Sequence, residues 1–117
     1  MRIKEKQKDN VTLLTLKGDM INEKLDLHPY VKSLLEKGKK NIVIDLGHIK
    51  WFSSTALGAL MASYTSIKKA GGQLKIARPS RKIYSLIYQM ELREVFDTYD
   101  SVNQAIEAFR DLKEVKH

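Results

Sequence analysis

The sequence predicts an α/β fold, a mixed sheet of about five strands packed by about four helices and opened by a hairpin. Three observations carry this. An apolar run, Ile42-Val43-Ile44-Asp45-Leu46, suits a central strand covered on both faces. Leu57, Leu60, Met61, Tyr64 and Ile67 recur at helical spacing directly after it. Strand-like and helix-like segments then alternate to the end of the chain, which implies parallel pairing and crossover helices.

Each element has a local reason. Val11-Thr12-Leu13-Leu14-Thr15-Leu16 is rich in strand formers and follows the turn signal Asp9-Asn10, so residues 2–8 form the other hairpin arm. Gly18-Asp19 ends the second strand. Leu27, Val31, Leu34 and Leu35 mark a helix with Asp26 as N-cap, Pro29 in its first turn and Gly38 as its stop. The strand 41–46 leads through a short loop, Gly47 to Phe52, into the periodic helix, for which Ser53 or Ser54 is the natural N-cap. Lys68-Lys69 complement that helix's C-terminal dipole and Gly71-Gly72 terminate it. Leu74, Ile76 and Ala77 give a strand. Pro79-Ser80 open a helix with Ile83, Leu86, Ile87 and Met90 on one face. Val95-Phe96 mark a last short strand, and Ser101 caps a final helix carrying Val102, Ala105, Ile106 and Phe109. The order is β-β-α-β-α-β-α-β-α.

The 117 residues fit one domain, 1–117, with enough length to bury a core. Hydrophobic residues make up 43% and charged residues 30%, a globular composition. The absence of cysteine excludes disulfides, thiolate catalysis and cysteine-ligated zinc. The charged start of the chain is no signal peptide, and no apolar stretch reaches membrane-span length, so the cytoplasm is the expected location. The net charge is +7, from 21 Lys+Arg against 14 Asp+Glu. The basic residues are interspersed with acidic ones, with short clusters at Lys37/Lys39/Lys40, Lys68/Lys69 and Arg78/Arg81/Lys82. That pattern reads as a solvated surface. No direct nucleic-acid binding is expected, because the basic stretches lack interleaved aromatics.

Catalytic and metal signatures are weak. His28, His48 and His117 are not at ligand spacing, and no phosphate loop or nucleophile elbow is present. Asp19, Asp45 and Asp97 fall near strand ends but have no feature that pairs them. No catalysis, metal or cofactor is expected of this chain.

The informative segment is Trp51-Phe52-Ser53-Ser54-Thr55-Ala56-Leu57-Gly58. It places three hydroxyl residues where a buried strand's loop enters a helix, and one suffices as a cap. A helix N-terminus also stabilises a phosphoryl group, so a phosphorylation switch is the alternative to a plain cap. Trp51-Phe52 is expected in the core beneath the helix; exposed, the pair would form interface anchors.

At these residues the sequence resembles the STAS domain family, the anti-sigma factor antagonists. That family's pattern is an apolar strand ending in Asp-Leu or Asn-Leu, a short loop, then Asp-Ser-Ser/Thr-Gly-Leu-Gly opening a helix. Ile42 to Leu46 matches the strand and Ser53 to Gly58 aligns with the motif. Thr15-Leu16-Lys17-Gly18-Asp19, Ala70-Gly71-Gly72-Gln73-Leu74, Ala77-Arg78-Pro79-Ser80 and Glu91-Leu92-Arg93-Glu94-Val95-Phe96 match further segments in order. The resemblance covers nearly the whole chain. It implies Ser54 as phosphorylated serine, with Thr55 as secondary acceptor, and a partner surface of Asp19, Ile21, Asp45, Ser53, Ser54 and Thr55. The implied partners are an anti-sigma factor with serine kinase activity and a phosphatase. Three positions depart from the pattern: Ser53 replaces the family Asp, Ala56 the following Gly, and apolar Ile21 stands near an acidic position. A STAS interaction subunit that is not phosphorylated, serving as a scaffold or beside a transporter, is the alternative that Ser53 and the basic charge favour.

Overall fold

The computed structural model describes residues 2–18 and 27–115, and the side chains through Arg110. Strand β1 (Arg2–Lys8) and strand β2 (Val11–Lys17) form the leading hairpin. They are followed by helix α1 (Leu27–Glu36), strand β3 (Asn41–His48), helix α2 (Ser54–Lys69) and strand β4 (Gln73–Ala77). Helix α3 (Arg81–Gln89), strand β5 (Asp97–Tyr99) and helix α4 (Val102–Val115) complete the chain. The strands lie side by side in chain order, β1-β2-β3-β4-β5. The β1–β2 pair is antiparallel and the other three pairs are parallel. This is the mixed sheet and the element order that the sequence predicts.

Alternation along the strands builds two cores. Leu14, Leu16, Ile42, Ile44, Leu46, Leu74 and Ile76 face α1, α2 and α3 and form the main core with Leu27, Val31, Leu34, Leu57, Leu60, Ile67, Ile83 and Ile87. On the other face Val11, Val43 and Ala77 pack under Ala105, Ile106 and Phe109 of α4. Strand β3 is buried from Ile42 to Leu46 because it is the middle strand and both layers cover it. Lys75 is buried with that second core, and its amine reaches Asp97 Oδ2 at 3.1 Å and lies over the Tyr99 and Phe109 rings.

The turn from α2 into β4 rests on glycine chemistry. Gly71 has φ +81, and a Cβ on Gly72 would run into the carbonyl oxygen of Lys40. The two glycines thus let the chain pass close over the start of β3, where Gln73 N–H bonds to Lys40 O at 3.0 Å.

Two sequence expectations shift. Val95-Phe96 is not the last strand; β5 is Asp97–Tyr99. The apolar pair lies in a turn, where Phe96 N–H bonds to Leu92 O and the ring plugs the main core edge-on to Tyr64. Met90, expected on the buried face of α3, is the C-cap and is 56% exposed. The expected N-cap Asp26 lies outside the described residues.

The hairpin is tied to the helical layer by polar contacts. Tyr30 of α1 donates its hydroxyl to Glu5 Oε1, and Lys39 reaches Glu5 Oε2 at 3.1 Å. The tyrosine bond first, then the lysine, holds the Glu5 carboxyl below its ordinary range, and the same bond pushes the Tyr30 hydroxyl up to about 12. A lowered carboxyl stabilises the fold above its unfolded value and loses that contribution as the pH falls through the folded value. A raised phenol contributes below its unfolded value and loses that as the pH rises through about 12. Tyr30→Phe should therefore lower stability at neutral pH by about 1 kcal/mol and flatten both limbs. Thermal unfolding across pH, with Tyr30→Phe beside the parent chain, checks this; parallel curves would refute it.

Candidate functional site at the start of helix α2

The carboxyl ends of β2, β3, β4 and β5 lie along one edge of the sheet, because these strands are parallel. The helices α2 and α3 start from that edge. After β3, Ile49 N–H bonds back to Leu46 O at 3.1 Å and the Ile49 side chain is buried, which turns the chain. Phe52 then packs partly against the main core. Ser53 adopts an extended conformation (φ −97°, ψ 170°), and its Oγ accepts the Ala56 N–H at 3.1 Å. Ser53 is therefore the N-cap, which settles the choice between the two serines.

Ser54 is the first residue of α2, and Ser54 and Thr55 are both exposed. Ala56 and Leu57 turn inward and are buried. The hydroxyl that helix geometry requires is thus Ser53's, and Ser54 presents its own to solvent beside the positive end of a 16-residue helix.

Asp45 sits where the pairing of β3 with β4 ends, and its side chain is 4% exposed. Its Oδ1 accepts from Arg78 Nε and from Gly47 N–H, both at 2.9 Å, and its Oδ2 accepts from Arg78 Nη2 at 2.9 Å. This is a two-pronged guanidinium–carboxylate pair. Arg78 Nη2 also lies 3.2 Å from His48 Nε2, which must accept because guanidinium only donates. Arg78 adopts a left-handed conformation, φ +54°, and its own N–H bonds to Tyr99 O at 2.8 Å. Gly47 has no Cβ because one would strike the guanidinium. Arg78 therefore links β3, β4 and β5 at this edge, with the buried Asp45 carboxylate held inside the link.

Trp51 does not enter the core. It is 55% exposed, with the Lys82 amine 5.6 Å from its ring centre. Phe52 alone follows the expected route inward. Asp97 pairs with Lys75 and lies level with it, two residues back along the sheet from the Ala77–Asp45 level, so Asp45 and Asp97 do not gather. Asp19 and Ile21 lie outside the described residues. Sequence reasoning missed Arg78 as the partner of Asp45, 33 residues away in the chain. It also missed Lys82 as the support of Trp51.

Among the described residues no group of His, Asp or Glu is arranged to hold a metal ion. No helix among them is long and apolar enough to cross a membrane.

Residues 2–105 match the STAS domain family. The chain belongs to that family. A candidate anti-sigma factor antagonist of Thermotoga maritima is 26% identical to this STAS domain over 76 residues, 65% of this chain and 67% of the relative. An anti-sigma factor antagonist from Mycobacterium paratuberculosis superposes with a TM-score of 0.81 at 20% identity, covering 93% of each chain. The phosphorylated form of the Bacillus cell-fate determinant SpoIIAA superposes at 0.72 and 11% identity, covering 92% of this chain and 99% of that one. The structural likenesses establish a shared STAS fold.

Proposed function

We propose that this STAS domain is a cytoplasmic anti-sigma factor antagonist that works by partner switching. In its unmodified form it binds an anti-sigma factor that is also a serine kinase, and so frees the sigma factor. Phosphorylation of Ser54 by that kinase ends the binding, and a phosphatase restores it. The kinase supplies ATP and the catalytic groups; this chain supplies the acceptor hydroxyl, with Thr55 as the secondary acceptor.

One observation carries the reading: Ser53 takes the capping duty, and Ser54 stands exposed at the first position of α2. A phosphoryl group there adds a charge of about −1.5 to −2 next to the helix's free N–H groups. The helix tolerates the charge, and the surface around it changes sign. A partner that buries this surface of about 800 Å² would have to desolvate the phosphate. Exposed Trp51 beside the loop is a suitable anchor for such a surface.

The test is incubation of the purified chain with serine kinase anti-sigma factors from the same genome and ATP, read by intact mass and peptide mapping. One phosphate on Ser54 is the expected result. Binding without phosphate would reduce the chain to an interaction subunit without the switch. Neither binding nor phosphate would sink the proposal.

A further inference from the structure

Among the described residues strand β1 forms one margin of the sheet and pairs only with β2, from Arg2 opposite Lys17 to Lys8 opposite Val11. Its seven residues alternate between two surfaces. Ile3, Glu5 and Gln7 belong to the side of the main core: Ile3 packs on that core, Glu5 binds Tyr30 and Lys39, and Gln7 Oε1 accepts the Thr12 hydroxyl. Arg2, Lys4, Lys6 and Lys8 point to the opposite face. There α4 packs on β3, β4 and β5, and its cluster ends at Val11 and Leu13 of β2. All four cations are exposed, and none lies within ion-pair distance of a carboxylate among the described residues. Among the described residues, the alternation thus sorts a mixed sequence into a row of positive charge on a sheet face beyond the α4 cluster, along a backbone edge that no described strand pairs.

We propose that this edge accepts an extended acidic segment of a partner protein as a sixth strand. Alternate side chains on β1 repeat at about 6.7 Å, and any added strand has the same repeat. Acids at every second position of that strand would each stand opposite one cation, at cross-strand pairing distance. Main-chain hydrogen bonds supply the affinity and the charge row supplies the choice of partner. A second copy of this chain is turned away, because lysine would face lysine. Nucleic acid fits the face less well, since no aromatic residue stands in the row to stack on bases. A bilayer fits less well too, because the row has no exposed apolar residue to insert. The surface is separate from Ser54, and the proposal stands or falls independently of the phosphorylation switch.

The probe is a fluorescent peptide of alternating Glu and Thr, titrated against the whole chain by anisotropy, with backbone amide shifts recorded. An isomer of equal composition with its Glu residues gathered at one end serves as control. Binding of the alternating peptide with shifts concentrated in residues 2–8 is the expected result, and the isomer should bind more weakly. The double change Lys4→Gln and Lys6→Gln, at exposed positions, should weaken binding about tenfold, while Lys37→Gln and Lys68→Gln should leave it unchanged. Circular dichroism establishes that both variants are folded. Equal binding of the two isomers, or no binding, overturns the proposal. So does tighter binding of a short DNA duplex or of phosphatidylserine vesicles that is lost with the same lysines.

Discussion

Ser54→Asp should abolish binding to the anti-sigma factor, and Ser54→Ala should leave binding intact and insensitive to the kinase. Both substitutions fall on an exposed hydroxyl that is not the cap, because Ser53 Oγ already accepts the Ala56 N–H. The fold should tolerate each within about 0.5 kcal/mol, and Asp at the first turn is favoured by the helix dipole. The effect on binding is far larger. An unpartnered charge buried at an interface costs roughly 2–5 kcal/mol, which is about thirtyfold to several thousandfold in Kd. Ser53→Ala is the informative contrast. It removes the cap and should cost about 1 kcal/mol of stability, with much less loss of binding. Calorimetric titration of the partner with the three variants checks the pattern. Binding by Ser54→Asp at the parent affinity would refute the switch.

Arg78→Ala should destabilise the fold by about 3 kcal/mol, or roughly 10 °C in Tm. The guanidinium is 40% exposed, but the carboxylate it neutralises is 4% exposed and would keep only the Gly47 N–H. The cost is the stranded buried charge of Asp45. Two further variants separate the contributions. Arg78→Gly loses the same pair but relieves the φ of +54°, so it should be about 1 kcal/mol less harmful than Arg78→Ala. Adding Asp45→Ala to Arg78→Ala removes the stranded charge, so the double variant should be less destabilised than the sum of the singles. Strict additivity in denaturant unfolding would mean that the pair is not coupled.

The long elements were legible because they carry strong periodic signals. Strand β3 announces itself as an apolar run, and α2 as apolar residues at helical spacing between a hydroxyl cap and two glycines. Strand β5 was not, since Asp97-Thr98-Tyr99 is a polar edge strand held by backbone pairing with β4. The apolar signal nearby, Val95-Phe96, belongs to a turn that fills the core. Trp51 misled for a related reason: hydrophobicity suggests burial, but a cation over its ring stabilises it at the surface. The cap was ambiguous between two adjacent serines, because backbone dihedrals decide it and sequence does not display them. The partner of Asp45 was not legible, since Arg78 lies 33 residues away in the chain. The charge row on β1 was visible in principle, in Arg2-Ile3-Lys4-Glu5-Lys6-Gln7-Lys8. Counting runs of neighbouring charges hides it; counting every second residue shows it.

The spatial order of the strands has a consequence for how the chain comes to be folded. Each strand lies beside its predecessor, and no later strand must insert between two that have already met. During synthesis, at roughly 5–20 residues per second, the sheet can grow from the hairpin outward as each segment emerges. Only the newest margin awaits a neighbour at any moment. The older margin, β1, carries lysines that discourage pairing with another nascent copy.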